Sequence, residues 1–310
     1  MIKNLFKNKW LIRSIGIIIF VLILVFKIDF NKIHQLVKFD FSYLFSALII
    51  IVLSSIIRPL RWQYILKKIN IAYSFKKVFQ LYYIGVLFGN ITPGKLGEFG
   101  RTAYLKKDNH PINESLISIL IDKAADAILL LIIGFLGIIY LRRILSINIV
   151  VTSIIIISGI IFLTIIIKTR LYRVLIPKNW QIYILNLFKG LKFYKTKNYL
   201  FILFLTFIHW FFHYLILYLL ALSVGITNLS LFYFAISIAI AELITLLPIS
   251  ILGIGTRDIS LLFLFSLFNI PAETTISFSV LSLIIVIGTN SLIGLISMLT
   301  HKSDKVSDFI

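Results

Sequence analysis

The sequence predicts an all-α integral membrane protein with about six full transmembrane helices and two re-entrant or broken helical hairpins, related as inverted repeats. Hydrophobic residues make up 60% of the 310 residues and charged residues only 14%, whereas soluble proteins contain about 25% charged residues. Long apolar runs extend over the whole chain, and Pro/Gly-rich breaks interrupt one apolar region in each half. We therefore expect residues 1–310 to form a single polytopic membrane domain.

The composition also limits the partners and cofactors. The formal net charge is +19, but the basic residues lie in short loops between apolar runs, so we expect no nucleic-acid partner. The chain has no cysteine, which excludes disulfides, thiolate metal sites, iron–sulfur clusters and cysteine nucleophiles. His209 and His213 have the i, i+4 spacing of a metal pair, but no HExxH glutamate accompanies them. We expect them to form hydrogen bonds between helices, and we expect neither a metal nor a cofactor.

Full crossings are predicted where an apolar run approaches the roughly 20 residues that a membrane-spanning helix needs. The first run follows several basic residues and is not followed by a small-residue cleavage site, so residues 1–26 are interpreted as a retained signal-anchor helix. The six predicted crossings are residues 10–26, 41–57, 115–141, 147–167, 200–222 and 276–299.

The distribution of lysine and arginine predicts the orientation, because positively charged loops stay in the cytoplasm. The basic segments are the N-terminus and residues 58–77, 95–114 and 168–198. We expect these segments and the tail 300–310 on the cytoplasmic side of the cytoplasmic (inner) membrane. The segment 168–198 mixes lysines with apolar and aromatic residues, which favours binding to anionic lipids of the inner leaflet.

Two shorter apolar regions are predicted to turn back before crossing. Residues 74–107 must enter from the cytoplasm and return to it, because a full crossing there would export a strongly basic loop. Counting the crossings in the same way, we expect residues 231–268 to enter the membrane from outside and to return to the outside. Residues 231–247 are long enough to cross alone, so a full crossing stays open as an alternative.

Proline and glycine residues mark the break in each hairpin. Backbone that is not helical is tolerated at membrane depth only where protein or a water-filled cavity satisfies its polar groups, so paired breaks predict a polar cavity at the midplane. The N-termini of half-helices that face such a cavity favour anions. The breaks are Pro93, Gly94 and Gly97 in the first hairpin and Pro248, Gly253 and Gly255 in the second.

Each break is followed by an arginine beside a carboxylate. Glu98 and Arg101 share one helix face at spacing i, i+3, and Arg257 directly precedes Asp258. An arginine in a cavity can bind a phosphate through two parallel hydrogen bonds. Arg101, Arg257 and Glu98 are therefore candidates for binding a lipid headgroup, and Asp258 is a candidate for the cavity or a proton relay. The alternative is that each acid only neutralises its arginine and fixes the tip of the hairpin.

Acidic residues within apolar helices are further candidates for the cavity or for a proton relay. Asp122 and Asp126 share one helix face, and Lys123 is spaced to reach Asp126. This leaves Asp122 without a partner, for which Arg101 is a candidate. Glu242 is either protonated, paired or part of a proton path, and a pair with Arg257 is favoured. The candidate relay residues are Asp122, Asp126, Glu242 and Asp258.

Arg58 and Arg61 end the second predicted crossing. The favoured interpretation is that they extend to lipid phosphates at the interface, with Trp62 as an interfacial anchor. The alternative is that one of them receives a lipid headgroup at the mouth of the cavity.

Four blocks together resemble the transmembrane, flippase-like domain of the lysylphosphatidylglycerol synthases. They are RPLRWQYIL, FGNITPGKLGEFGRTAYL, SILIDKAADAILLL and LPISILGIGTRDISLLFLF, in the family's order. The resemblance implies an inner-membrane protein that moves or handles phospholipids or polyprenyl-linked lipids. The longest hydrophilic stretch of this chain is residues 168–198. The chain is therefore similar to family members that stand alone without the soluble synthase domain.

The family's motifs fall on particular residues of this chain. The resemblance places the Pro-Gly-x-x-Gly-Glu-x-x-Arg block on Pro93, Gly94, Gly97, Glu98 and Arg101. It places the Gly-x-Gly-x-x-Glu block on Gly253, Gly255 and Asp258, where aspartate replaces the usual glutamate.

These observations predict a lipid translocase that moves the headgroup of a phospholipid or polyprenyl-phosphate lipid through the cavity. No ATP site or clear catalytic motif is present, so a transporter is favoured over an enzyme. One alternative is a membrane-embedded lipid-modifying transferase, or the membrane subunit of a lipid-synthesising enzyme, with Glu98 and Asp122 as its acidic cluster. Another is a scaffold subunit with a closed, apolar interior.

Overall fold

The described part of the protein is entirely helical. A computed structural model describes residues 39–141, 196–245 and 253–301. The predicted crossings 10–26 and 147–167, most of the basic segment 168–198, Pro248 and the tail beyond residue 301 lie outside these residues. The elements are α1 (Phe41–Ser54), α2 (Ile57–Lys68), α3 (Phe75–Ile91), a 3-10 helix (Pro93–Gly100), α4 (Arg101–Lys107), α5 (Ile112–Leu141), α6 (Thr196–Ser223), α7 (Leu231–Thr245), α8 (Thr256–Ser266), α9 (Ala272–Ser282), a π-helical turn (Leu283–Ile287) and α10 (Gly288–Thr300).

Within the described residues, four helical stretches are long and apolar enough to cross a membrane. They are Phe41–Lys68, Ile112–Leu141, Asn198–Ser223 and Ala272–Thr300. The longest has 30 residues, or about 45 Å at 1.5 Å per residue, which exceeds the roughly 30 Å of a hydrocarbon core. Helix α7 is shorter, with 15 residues. These lengths confirm the prediction of an all-α integral membrane protein.

One predicted boundary is wrong. The crossing predicted for residues 41–57 continues through α2 to Lys68, so the segment expected to leave the membrane as a basic loop is helical. Pro59 lies near the start of α2, where proline is tolerated because the first turn has no internal partner for its missing N–H. Helix α2 buries Trp62, Ile65 and Leu66 completely, and this packing keeps it in the bundle.

The first hairpin, residues 74–107, turns back on itself. Lys77 at the start of α3 forms a 2.6 Å ion pair with Asp108, which directly follows α4. Leu105 packs in the same buried cluster as Val78 and Leu81. The returning chain therefore runs antiparallel to α3 and ends level with its start. Its depth in a membrane stays a prediction.

Glycines make this return possible by letting the two arms touch. A Cβ atom on Gly85 would lie 2.7 Å from the Cγ of Arg101, and a Cβ on Gly89 would lie 2.5 Å from the Cγ of Glu98. Gly97, on the returning arm, meets the backbone of α3 even more closely. Small residues at such contacts allow the close approach of helices in membranes.

The second hairpin, residues 231–268, also turns back. The rings of Tyr233 and Phe268 lie 5.5 Å apart at its two ends, and a Cβ on Gly253 would lie 2.9 Å from the methyl group of Thr245. Gly253 and Gly255 have φ values of 78° and 85°. This left-handed region favours glycine, which explains both residues at the break.

The two hairpins start from opposite ends of the bundle. Helix α5 follows the first hairpin directly, so that hairpin's base lies near the N-terminus of α5. Near the other end of α5, the Tyr140 ring contacts the Tyr233 ring at 5.7 Å, at the base of the second hairpin. The bases are thus separated by the length of a 30-residue helix, which is the opposed arrangement that the sequence predicts.

We expect Asp108→Asn to weaken the base of the first hairpin slightly. Burial raises the pKa of the Asp108 carboxyl, but hydrogen bonds from Lys77 and Tyr73 outweigh it and hold that pKa below its ordinary value. A lowered pKa means that the pair stabilises the fold above the unfolded-state pKa of about 3.9 and that this contribution is lost as the pH falls through the folded value. Lys77 and Asp108 are 34% and 35% exposed, so the loss should be below about 1 kcal/mol.

Thermal unfolding in detergent checks this expectation. The melting temperature of Asp108→Asn should lie slightly below that of the unchanged protein at neutral pH, and the difference should shrink in acid. A difference that does not depend on pH would contradict a role for the ionised carboxylate.

Candidate functional site

The described residues beside the two breaks, which we call the hairpin tips (90–95 in the first hairpin; 245 and 253–257 in the second), line one cavity of about 190 Å³. That volume is far above the roughly 10–15 Å³ that a single water needs. Asn90, Thr92 and Lys95 line it from the first hairpin, and α6, α9 and the π-helical turn also contribute to the wall. The charged or titratable side chains of its lining are Lys95, His213, Glu242 and Arg257. The predicted polar cavity between the two breaks is therefore present.

Arg257 presents a guanidinium group to this cavity. Its Nη2 atom donates hydrogen bonds of 2.9 Å to the carbonyl oxygen and to the hydroxyl of Ser279 on α9. Its Nε atom has no hydrogen-bond partner in the described part of the chain, and its side chain is 17% exposed. The Nε atom is itself buried, so the guanidinium is fixed at one corner and only the remaining part of the side chain is exposed.

Asp258 fixes the break in the second hairpin. Its Oδ2 atom accepts a 2.8 Å hydrogen bond from the backbone N–H of Gly255, so it caps the N-terminus of α8. The Ser279 hydroxyl donates to its other oxygen. Asp258 is 2% exposed and is not among the residues that line the cavity. It was predicted as a cavity or relay group, but it acts as a helix cap 4.0 Å from Arg257.

Arg101 lies away from the cavity, contrary to the prediction. Its side chain is fully buried, and its guanidinium carbon lies 4.6 Å from the ring centroids of both Trp62 and Tyr82. One amino group lies 3.4 Å from a Glu98 oxygen and 3.7 Å from an Asp122 oxygen. Two aromatic rings and two carboxylates therefore enclose Arg101, because Gly85 allows it to lie directly against α3.

Glu98 is also enclosed. It is 3% exposed, and its carboxylate lies 2.5 Å from the Lys123 ammonium. The predicted pairing of Glu98 with Arg101 is present at 3.4 Å, but the predicted pairing of Lys123 with Asp126 is replaced by the one with Glu98. This contact joins the first hairpin to α5.

Arg61 occupies the centre of this charged cluster. Its Nε atom donates to Asp122 at 2.8 Å, and its terminal nitrogens donate to Asp126 at 2.7 Å and 2.9 Å and to the Thr206 hydroxyl at 2.8 Å. The side chain is fully buried. The prediction that Arg61 extends to lipid phosphates is therefore wrong, because α2 stays in the bundle.

The two neighbours predicted to lie at the interface are also in the bundle. Trp62 is fully buried and donates a 3.1 Å hydrogen bond to Ser118. Arg58 is 22% exposed and forms a 3.1 Å ion pair with Asp126. Neither is the interfacial residue that was expected.

Seven charged side chains of α2, the first hairpin and α5 form one cluster, which we call the charge clasp. It contains four cations and three carboxylates, a formal charge of +1, and its ion pairs join α2, the first hairpin and α5. Buried charges are tolerated only when they are paired and hydrogen-bonded. The members of the clasp are paired with one another, and none of them is among the residues that line the cavity. The members are Arg58, Arg61, Glu98, Arg101, Asp122, Lys123 and Asp126.

Glu242 pairs with His213 rather than with Arg257. The His213 Nε2 atom lies 2.7 Å from a Glu242 oxygen, and the pair joins α6 to α7. The expected hydrogen bond between helices is confirmed for His213, whereas the Nδ1 atom of His209 has no hydrogen-bond partner among the described residues. His213 and Lys95 were not predicted as cavity residues. The sequence signals for them were a histidine within an apolar helix and a lysine within a Pro/Gly break.

No group of three or more possible metal ligands occurs within residues 39–141, 196–245 and 253–301. The cavity instead combines two cations, a histidine and a carboxylate with apolar side chains such as Leu217, Ile238 and Phe278. Its chemistry suits an anionic group attached to an apolar body.

Comparisons with known proteins agree with this membrane architecture. The chain is 27% identical to the UPF0104 membrane protein MJ1595 of Methanocaldococcus jannaschii over 318 residues, which cover 92% of this chain and 93% of that protein. It is 27% identical to the UPF0104 membrane protein PH1989 of Pyrococcus horikoshii over 172 residues, or 54% of this chain and 50% of that protein. No solved structure matches it. The profile described as "Lysylphosphatidylglycerol synthase TM region" matches residues 11–294, and the chain belongs to this family.

Proposed function

We propose that the protein is a lipid translocase that moves the headgroup of a phospholipid or polyprenyl-phosphate lipid through the cavity while the acyl or prenyl chains stay in the bilayer. The observation that carries this proposal is the meeting of two hairpin tips, inserted from opposite ends, around a cavity with Arg257 and Lys95 in its wall. A cavity at the junction of opposed repeats is where secondary transporters bind their substrates.

Electrostatics supports an anionic cargo. A charged group at the centre of a bilayer costs from about 3 to more than 10 kcal/mol, depending on the method. Arg257 lines the cavity and its side chain is partly exposed, so its positive charge can replace part of the headgroup's lost hydration. Lys95 supplies a second positive charge, and the hydroxyl of Thr92 and amide of Asn90 add polar groups.

The two hairpins differ in how they are held, which supports opposed movement. The charge clasp fixes the first hairpin to α2 and α5. The break of the second hairpin contacts α9 through Arg257, Asp258 and Ser279. The two tips share the cavity wall, so rocking of one unit against the other would change the side on which the cavity opens.

We further propose that the end with the base of the first hairpin faces the cytoplasm. This end carries Lys67 and Lys68 at the end of α2, and Lys106 and Lys107 at the end of α4. Positive residues beside spanning helices favour the cytoplasmic side. The protein would then lie in the cytoplasmic membrane with its second hairpin inserted from outside.

Arg257→Ala is expected to slow lipid movement about 10- to 100-fold, because a hydrogen bond to a charged group contributes about 1.5–3 kcal/mol. The assay reconstitutes the purified protein in liposomes that contain a fluorescent phosphatidylglycerol or a fluorescent polyprenyl phosphate, and a membrane-impermeant quencher reports the outer leaflet.

Two matched variants make the result specific. Arg257→Lys keeps the charge and should retain part of the rate. Lys106→Ala removes an exposed cation on the returning arm of the first hairpin. Lys106 does not line the cavity, so the rate should stay unchanged. If Arg257→Ala moves both lipids as fast as the unchanged protein, Arg257 does not bind the cargo.

The transferase alternative loses its predicted acidic cluster, because Glu98 and Asp122 are enclosed in the charge clasp. The His213–Glu242 pair is the acid–base pair that remains in the cavity, and such pairs serve as general acids and bases. A new lipid species on expression, without a change in leaflet distribution, would favour a transferase over a translocase.

A further inference from the structure

We propose that the His213–Glu242 pair is a proton-binding site and that one proton moves with each anionic headgroup. The inference rests on the proposed translocase function and adds the co-transported ion. It is carried by the position of the pair, which lies in the wall of the cavity that also contains Arg257 and Lys95.

The pair has the geometry of a site that binds and releases a proton. The two side chains come from different helices, α6 and α7, and lie 2.7 Å apart. They are 21% and 19% exposed and both line the cavity, so the pair is reachable from the cavity. Ionisable residues within membrane helices commonly form proton relays. Neither residue is part of the charge clasp.

The charges around the cavity favour joint binding of an anion and a proton. Arg257 and Lys95 are positive, Glu242 is negative, and Asp258 adds a negative charge 4.0 Å from Arg257. With His213 neutral, these groups balance. A headgroup with one negative charge leaves an excess negative charge, and one proton on the His213–Glu242 pair removes it.

The charged groups around His213 explain why binding of the anionic headgroup would favour binding of the proton, and the reverse. Arg257 and Lys95 oppose a proton on the pair in the empty cavity, whereas Glu242 favours it. An anion bound at Arg257 and Lys95 cancels their opposition. Because coupling between two ligands is reciprocal, the proton must also strengthen binding of the anion.

Within residues 39–141, 196–245 and 253–301, the remaining neighbours do not supply an alternative counter-charge. On α6, His209 and Tyr214 flank His213, with ring centroids at 6.2 Å and 5.7 Å. Phe278 and Ser282 line the cavity from α9 without charge. The charged groups beyond His209 belong to the charge clasp, where they form ion pairs with one another; they are Arg58, Arg61 and Asp126.

The proton step needs only water. A proton from cavity water binds the pair, which then holds either imidazolium with carboxylate or imidazole with carboxylic acid, and the hydroxide left in the water is neutralised by the bulk solution. The reverse step releases the proton to the other side after the cavity reopens. No oxidant, reductant or second substrate is required.

A leaflet-distribution experiment tests the coupling. Liposomes with the full chain and a fluorescent lipid that it moves, phosphatidylglycerol or polyprenyl phosphate, are prepared with an interior one pH unit above the exterior. One pH unit corresponds to a factor of 10, or 1.36 kcal/mol. For a lipid with one negative charge, coupling to one proton predicts about a tenfold excess in the inner leaflet, which faces the higher pH. An ionophore that collapses the gradient should abolish the excess.

Variants separate this inference from the proposed function. His213→Gln and Glu242→Gln should still move the lipid but give equal leaflets under the gradient, and either one suffices if the other does not fold. His209→Gln, one turn away on α6, should keep the excess. Lipid movement by the unchanged protein without any excess would overturn proton coupling and leave the translocase standing. No lipid movement with either probe would overturn the translocase itself.

Discussion

Arg61→Ala is expected to destabilise the protein by about 3–5 kcal/mol, because removal of one partner leaves buried charges uncompensated. Arg61 is the main partner of Asp122 and Asp126, with contacts of 2.7 Å to each carboxylate. Such a loss is a large part of the roughly 5–15 kcal/mol that stabilises a typical protein. It should appear as a much lower melting temperature in detergent and as a reduced yield of monodisperse protein.

The neighbouring arginine is the control for this change. Arg58 contacts the clasp through one ion pair and is partly exposed, so Arg58→Ala should cost clearly less. Asp122→Asn in the Arg61→Ala background should recover part of the stability, since it removes an unpaired charge. If Arg61→Ala kept full stability and lost lipid movement, Arg61 would be a headgroup ligand and not a member of the clasp.

The sequence predicts the fold through two kinds of signal. Apolar length marks the spanning helices, and charge parity with Pro/Gly breaks predicts the two hairpins. The prediction from sequence fails at α2, where the basic residues of RPLRWQYILKK indicate a loop. The structure keeps this segment in the bundle because Arg61 meets Asp122 and Asp126, more than 60 positions later in the chain. Hydropathy cannot reveal such a distant compensation.

The sequence predicts only part of the candidate site, again because contacts between distant residues decide the rest. Spacing within one helix correctly joins Glu98 to Arg101, but it does not decide whether this face meets the cavity or a neighbouring helix. A signal for the second outcome is present in the GVLFG segment of α3, where Gly85 and Gly89 have the GxxxG spacing of close helix packing. Arg257 and Glu242 do line the cavity. The pairing of Glu242 with His213 is a tertiary contact that spacing cannot give.

Gly97→Ala is the second substitution with a large expected effect, because the returning arm of the first hairpin has no room for a side chain at this position. A Cβ atom on Gly97 would lie 2.2 Å from the Phe88 carbonyl oxygen and 2.8 Å from the Gly89 nitrogen. These are backbone atoms of α3, which cannot rotate away as a side chain can. The arm must therefore move off α3, and overpacking of this kind costs about 1–3 kcal/mol or more.

A glycine three positions away separates this effect from the general effect of adding a methyl group. A Cβ on Gly100 meets no atom within 4 Å, and its φ of −55° suits alanine. Gly100→Ala should be neutral or should stabilise the fold by up to about 1 kcal/mol, since it restricts the unfolded chain. Thermal unfolding of both variants measures the difference, and lipid movement by Gly97→Ala should fall with it, because displacement of the arm shifts Glu98 and Lys95 together. Equal melting temperatures for the two variants would mean that the hairpin arms do not touch at Gly97, and the cavity between the two tips would then need a different wall.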